Sequence, residues 1–182
     1  MTSTSHPFDE ALRLQPVASS SSSSAAAAAP AAGQYEGATH AGYWNMVGPF
    51  GGITAATLLQ AVMQHPDRLG DPLSLTVNYA GALTAGGYTV QAVPVRTNRS
   101  TQHWTLAILQ ADAEGALVVT TTGTAVTAVR RDTWSVGDVA MPEVPTPADQ
   151  KAMVAPGGAV EWLNRYEMRP IEGGIPRQWD GS

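Results

Sequence analysis

The chain has 182 residues, 43% of them hydrophobic, and a net charge of −5, which allows one domain with a buried core and further chain beyond it. The acidic balance argues against a nucleic-acid backbone as partner. The absence of cysteine excludes disulfides, thiolate nucleophiles and cysteine metal sites. The opening MTSTSHPFDEALRL lacks the basic and apolar regions of a signal peptide, and no apolar run reaches membrane-spanning length, so a cytoplasmic location with no membrane partner is expected.

HPFDEALRLQPV reads as a short strand or a helical turn. Residues 18–33, ASSSSSSAAAAAPAAG, read as a weakly ordered low-complexity insertion, because poly-Ser has little to bury and Pro30 interrupts the alanines. GQYEGATHAGYWN reads as a strand. From Gly51 to His65 the sequence predicts a helix whose polar members, Thr54, Thr57, Gln60 and Gln64, fall on one narrow stripe. A helix apolar on most of its circumference is buried on most of it, and Pro66 ends it. In LSLTVNYAGAL, Leu73, Leu75, Val77 and Tyr79 alternate with polar residues, which predicts a strand. GGYTVQAVPVRTNRS slips phase near Ala92–Val93, and Pro94 cannot donate to a ladder, so a bulge or an edge is expected there. TQHWTLAILQADAEG alternates, and ALVVTTTGTAVTAV is β-branched. The short Gly-rich or polar connections between these four strands imply an antiparallel meander.

One long helix in the curl of an antiparallel sheet is the α+β hot-dog architecture. GPFGGITAATLLQAV, DPLSLTVNYAGAL and VPVRTNRSTQHWTLAILQAD resemble the N-terminal half of the double hot-dog acyl-CoA thioesterases, the thioesterase B-like group. The features carrying the resemblance are Gly51–Gly52 at the helix opening, the strand from Pro72 to Tyr79, the turn Arg99–Ser100 and a following strand that ends in Gln110. They span roughly residues 35–130. WLNRYEMRPIEGG looks like the opening strand of a second hot dog. The expected organisation is a hot-dog domain over 1–133, a Pro- and Met-rich linker over 134–158, and the start of a second, incomplete hot dog over 159–182.

The first N–H groups of a helix lack internal partners and carry partial positive charge, and glycines let another group come close to them. A thioester carbonyl lodged at Gly51–Gly52 would have its oxyanion stabilised there; the simpler reading is a tight turn with close packing. Hydrolysis also needs a carboxylate to activate water, and Gly51–Pro66 contains none. The resemblance places the working Asp, Thr and Gln in the second half, beyond Ser182, so no catalytic residue is assigned and the chain alone is expected to be weak or inactive. Candidate substrate-binding residues are Asn45 and Gly51–Gly52, with Arg99 and Ser100 for a CoA phosphate. The resemblance implies an acyl-CoA substrate, no cofactor, and pairing of the chain with itself or another hot dog. A non-catalytic module that binds acyl groups or a partner is the alternative. A hot-dog hydratase is less favoured, because no His/Asp pair stands out. The four histidines show no metal-ligand spacing.

Overall fold

The structure, a computed structural model, describes residues 5–17, 33–154 and 160–173. In chain order it contains α1 (Pro7–Ala11), β1 (Gln15–Pro16), β2 (Gln34–Ala38), α2 (Gly51–Gln64), β3 (Asp71–Tyr79), β4 (Gly87–Thr97), β5 (Thr101–Ala111) and β6 (Leu117–Ala128). The first segment therefore holds both a helical turn and a strand. Pro7 opens α1, and His6 caps it by accepting from the Phe8 N–H at 3.2 Å. The Ser/Ala insertion lies outside the described residues, apart from Gly33.

The six strands form one antiparallel sheet in the order β1-β2-β4-β5-β6-β3. This corrects the expected meander of four consecutive strands: only β4, β5 and β6 run that way, and β3 pairs with the far side of β6. The connection from β3 to β4, residues 80–86, crosses the end of β6 and β5. Seven residues reach about 23 Å when extended, enough for three strand spacings of about 4.8 Å. Its length and glycines resemble those of a hairpin loop, and so misled the sequence reading.

Bulges bend the sheet around α2. Register shifts occur at Pro72/Ser74, Pro94/Arg96 and Ile108/Leu109, the second at the proline where a bulge was expected. Leu58, Ala61 and Val62 of α2 pack on Val90, Ala92, Trp104, Leu106 and Ile108. Gly123 on β6 permits the close approach, since a Cβ there would stand 3.4 Å from Leu58 Cδ1 and 2.8 Å from the Thr76 carbonyl. The helix is turned differently from the expected polar stripe. Thr54 and Thr57 are buried and Gln64 is exposed, while Met63 is 36% exposed. Thr57 is tolerated inside because its hydroxyl donates to the Ile53 carbonyl at 2.9 Å.

The alternating residues Gln102, Trp104, Leu106, Ile108 and Gln110 of β5 are all buried. The two glutamines at its ends hold the two loops that cross there. Gln110 Oε1 accepts from the Thr84 N–H at 2.8 Å, and its Nε2 donates to the Thr84 and Gly87 carbonyls at 3.1 Å each. Gln102 Oε1 accepts from the Leu69 N–H at 2.8 Å, and its Nε2 donates to the Asp67 carbonyl at 3.0 Å and the Thr97 hydroxyl at 2.9 Å. His65 caps the end of α2. Its Nδ1 accepts from the Asp67 N–H at 3.1 Å, its ring meets Trp104 edge-on at 5.0 Å, and its buried Nε2 has no partner.

Among the described residues beyond β6, the chain forms 3-10 turns at Pro147–Asp149 and Glu161–Arg165 and no strand. The strand expected within 160–173 is replaced by a docked turn. Trp162 stacks on Phe50 at 4.3 Å and 9°, and Arg165 Nε donates to the Gly42 carbonyl at 3.1 Å. With those groups bonded across to residues 42–50, the segment has no neighbouring strand to pair with.

Two measurements check these packing arguments. Gln110→Leu leaves the Thr84 and Gly87 backbone groups without their partner. It is expected to lower urea-unfolding stability by about 1–3 kcal/mol, whereas Gln64→Leu on the exposed helix face changes little. Burial holds the His65 pKa below its ordinary value, against a smaller opposing pull from Asp67. The folded state therefore resists the proton that the unfolded chain accepts near pH 6.5. Stability should be full above that pH and fall as the pH drops below it, and thermal melts of His65→Asn should show a shallower fall.

Candidate functional site

Helix α2 opens without a side-chain cap. Phe50 occupies the capping position and makes no side-chain bond there, while its carbonyl accepts from the Ile53 and Thr54 N–H groups at 3.0 and 3.3 Å. The Gly51 and Gly52 amides belong to the first turn, where no acceptor exists within the helix. The chain reaches this point through a tight turn: the Asn45 N–H donates to the Gly48 carbonyl at 2.7 Å, and the Phe50 N–H donates to the Tyr43 carbonyl at 2.8 Å.

A groove of about 250 Å³ lies at this opening, with Asn45, Gly51, Thr54, Tyr79 and Leu83 in its walls. Tyr79, at the end of β3, donates its hydroxyl to the Gly51 carbonyl at 2.7 Å. Tyr79 is 56% exposed overall, and partial desolvation moves its pKa up from the usual tyrosine value, so the phenol stays a neutral donor. The wall formed by Gly81–Leu83 belongs to the crossing loop that Gln110 clamps. It fits closely, since a Cβ at Gly48 would stand 2.6 Å from the Leu83 carbonyl. The lining offers an amide, two hydroxyls and a helix N-terminus, and no carboxylate. Such a set can bind and polarise a carbonyl, but it has no group to deprotonate water.

The candidate residues divide between two places. Asn45 and Gly51 line the groove together. Gly52 does not, because the Phe50 ring lies over it; a Cβ there would meet Phe50 Cε1 at 2.3 Å. Close packing is thus an observed reason for that glycine. Arg99 and Ser100 sit at the β4–β5 turn, where the Ser100 carbonyl accepts from the Val129 N–H at 3.0 Å. That is the end of the sheet beside Asp71 and Ala128, at the other end of α2 from the groove. Sequence reasoning missed Leu83 and the part played by Gln110, because both depend on the path of the crossing loop. It placed Tyr79 on one face of β3 with Leu73, Leu75 and Val77, but nothing local tied that residue to Gly51. Among the described residues, no group of three or more His, Asp or Glu is placed to hold a metal.

A sheet curled around one long helix, with a groove at the helix opening, defines a hot-dog domain. Residues 40–128 match the family model described as the acyl-CoA thioesterase N-terminal domain, so the resemblance read from the sequence is shown. A hot-dog-fold protein of unknown function from Alicyclobacillus acidocaldarius is 46% identical, with a TM-score of 0.79 over 94% of this chain and 57% of that one. An acyl-CoA thioesterase II from Mycobacterium marinum is 16% identical, with a TM-score of 0.59 over 94% of this chain and 56% of that one, and shows a shared fold. The chain thus spans little more than half the length of these proteins. No curated protein matches it.

The packing at the opening predicts the result of one substitution. Gly52→Ala should displace Phe50 and break its stack on Trp162, costing about 1–3 kcal/mol as overpacking. Near-ultraviolet circular dichroism should register the change around tryptophan, whereas Gly137→Ala, whose added Cβ would meet no atom within 4 Å and whose φ is not positive, should leave the Phe50–Trp162 stack unchanged.

Proposed function

We propose that this chain is the substrate-binding half of an acyl-CoA thioesterase, with the thioester carbonyl seated at the opening of α2. The observation that carries the reading is the uncapped Gly51 turn facing a groove that holds Asn45, Thr54 and Tyr79. The helix amides would stabilise the oxyanion as water attacks, and Asn45 would orient the acyl carbonyl. The carboxylate that activates water comes from a second hot dog, in keeping with its absence from this groove. The residues from 159 onward begin that second domain in this proposal, with 134–158 as the linker.

Pairing follows from what the single domain leaves open. β3 is a sheet edge with Leu73 and Tyr79 exposed, and the outward face of α2 leaves Ala55, Ala56 and Leu59 partly uncovered. Burying both against another hot dog satisfies the edge and removes the apolar surface. The location is proposed as cytoplasmic, where acyl-CoA is made and used. The same lack of a carboxylate supports a second reading, a hot-dog module that binds acyl groups without hydrolysing them.

Thiol release from acyl-CoAs of several chain lengths tests the assignment. The purified chain is expected to bind acyl-CoA, with shifts at the Gly51 and Gly52 amides by NMR, and to show no turnover above the uncatalysed rate. Clear turnover would place a complete site in this chain and overturn the need for a second hot dog. Absence of any binding would overturn both readings.

A further inference from the structure

We propose that residues 160–168 form a strap that holds the loop at the opening of α2, with Trp162 and Arg165 as positioning residues for the groove. The loop is residues 42–50, and it carries Asn45. It has little core of its own. Met46 and Val47 at its tip are exposed. Its internal contacts are the Asn45 N–H on the Gly48 carbonyl, the Phe50 N–H on the Tyr43 carbonyl, and a bridge between Trp44 and Pro49. A segment with so few buried contacts opens readily by itself. On one side it leans on the crossing loop, where Gly48 sits against the Leu83 carbonyl. Its base needs a second support.

The strap supplies that support at both ends of the loop. At the start, Arg165 Nε donates to the Gly42 carbonyl at 3.1 Å. The guanidinium lies against Gly42 itself, since a Cβ there would stand 2.7 Å from Nη2 and 2.8 Å from Nε. Next, the Trp162 N–H donates to the Trp44 carbonyl at 3.3 Å. At the far end, the Trp162 ring stacks on Phe50, and Tyr166 meets both rings edge-on, at 6.0 Å from Phe50 and 5.8 Å from Trp162. Phe50 is also the residue whose carbonyl receives the first bonds of α2. The strap is braced in turn from behind: the Met153 N–H donates to the Met168 carbonyl at 2.7 Å, and Arg169 Nη1 donates to the Pro147 carbonyl at 2.6 Å.

The turn that bears Asn45 therefore lies between two attachments of one segment, more than a hundred residues later in the chain. The buried Trp162 Nε1 has no partner, so the contact with Phe50 uses the flat ring and not the N–H. The bearing on substrate rests on the thioesterase reading. With the strap docked, Asn45 stands beside the Gly51 amide; with it released, the loop moves and takes Asn45 with it. The segment that follows the linker thus sets the geometry of a site on the first hot dog.

Hydrogen exchange and calorimetric titration of the full chain test this together. Trp162→Ala, Arg165→Ala and Gly42→Ala, the last of which displaces the guanidinium without removing it, should each speed exchange at the Asn45 and Phe50 amides about tenfold, the effect of one lost hydrogen bond or ring stack. Exchange at Leu106 and Ile108 in β5 should not change. Trp162→Phe keeps a flat ring and should restore slow exchange. Combined Trp162→Ala and Arg165→Ala should weaken hexanoyl-CoA binding about threefold or more, because apparent affinity falls with the fraction of chains whose loop is in place; Trp162→Phe should bind as the wild type does. Unchanged exchange in the double variant overturns the strap, and failure of Trp162→Phe to restore it overturns the ring contact. Faster exchange with binding unchanged makes the segment a structural contact alone and overturns the positioning role. The exchange readout needs no ligand, so a wild-type chain that binds no acyl-CoA sinks the thioesterase reading while exchange still decides the strap.

Discussion

The inward face of β5 is the constraint on which the rest of the structure depends. Trp104, Leu106 and Ile108 supply the surface that α2 buries, and burial of that apolar area is the main force holding helix to sheet. Gln102 and Gln110 continue the same face beyond the apolar stretch. A primary amide both donates and accepts, so one side chain can satisfy backbone groups of either polarity. Each glutamine is therefore able to seal an end of the core where a loop crosses it. Gln110 fixes the wall of the groove at the helix opening, and Gln102 fixes the loop that carries Arg68.

The curl of the sheet follows from interruptions in its ladders. Bulges at Pro72, Pro94 and Ile108 bend the strands, and Gly123 lets Leu58 approach the backbone of β6. The curvature encloses one side of α2 and leaves its other side partly uncovered, with β3 at the sheet edge. An apolar helix face that stays half-covered is unfavourable in water, which is the physical ground for expecting a second hot dog.

The two ends of α2 differ in electrostatic character. Its N-terminal end presents partial positive charge from the helix dipole within a groove free of ionised side chains. A carbonyl that becomes an oxyanion is suited to that environment. Its C-terminal end is capped by a buried neutral histidine and surrounded by arginines on the neighbouring loops. The arginines there carry full charges at the solvent surface, where salt screens them. One short domain thereby presents two chemically distinct faces, and the aromatic packing of Phe50, Trp162 and Tyr166 secures residues 162–166 near the first of them.

Much of the fold was legible because its signals are local. The mostly apolar circumference of α2, the alternation of β5, the β-branched run of β6 and the ladder-breaking Pro94 each declare themselves within about a dozen residues. The helix opening was legible for the same reason, since a glycine pair beginning an apolar helix has a direct backbone meaning. What stayed hidden required long-range contact. The placement of β3 beside β6 depends on a crossing loop whose composition equals that of a hairpin turn. The turn at Glu161–Arg165 depends on Phe50, more than a hundred residues earlier, and not on its own strand-like pattern. Asn45 and Gly51 share a groove while Arg99 and Ser100 lie at the other end of the helix, which no spacing along the chain could reveal. The sequence by itself determined that α2 and the strands β3 to β6 form, because propensity and burial period act between near neighbours. Only the tertiary structure decided which strands adjoin and which arginines gather, because those outcomes rest on how the sheet closes around the helix.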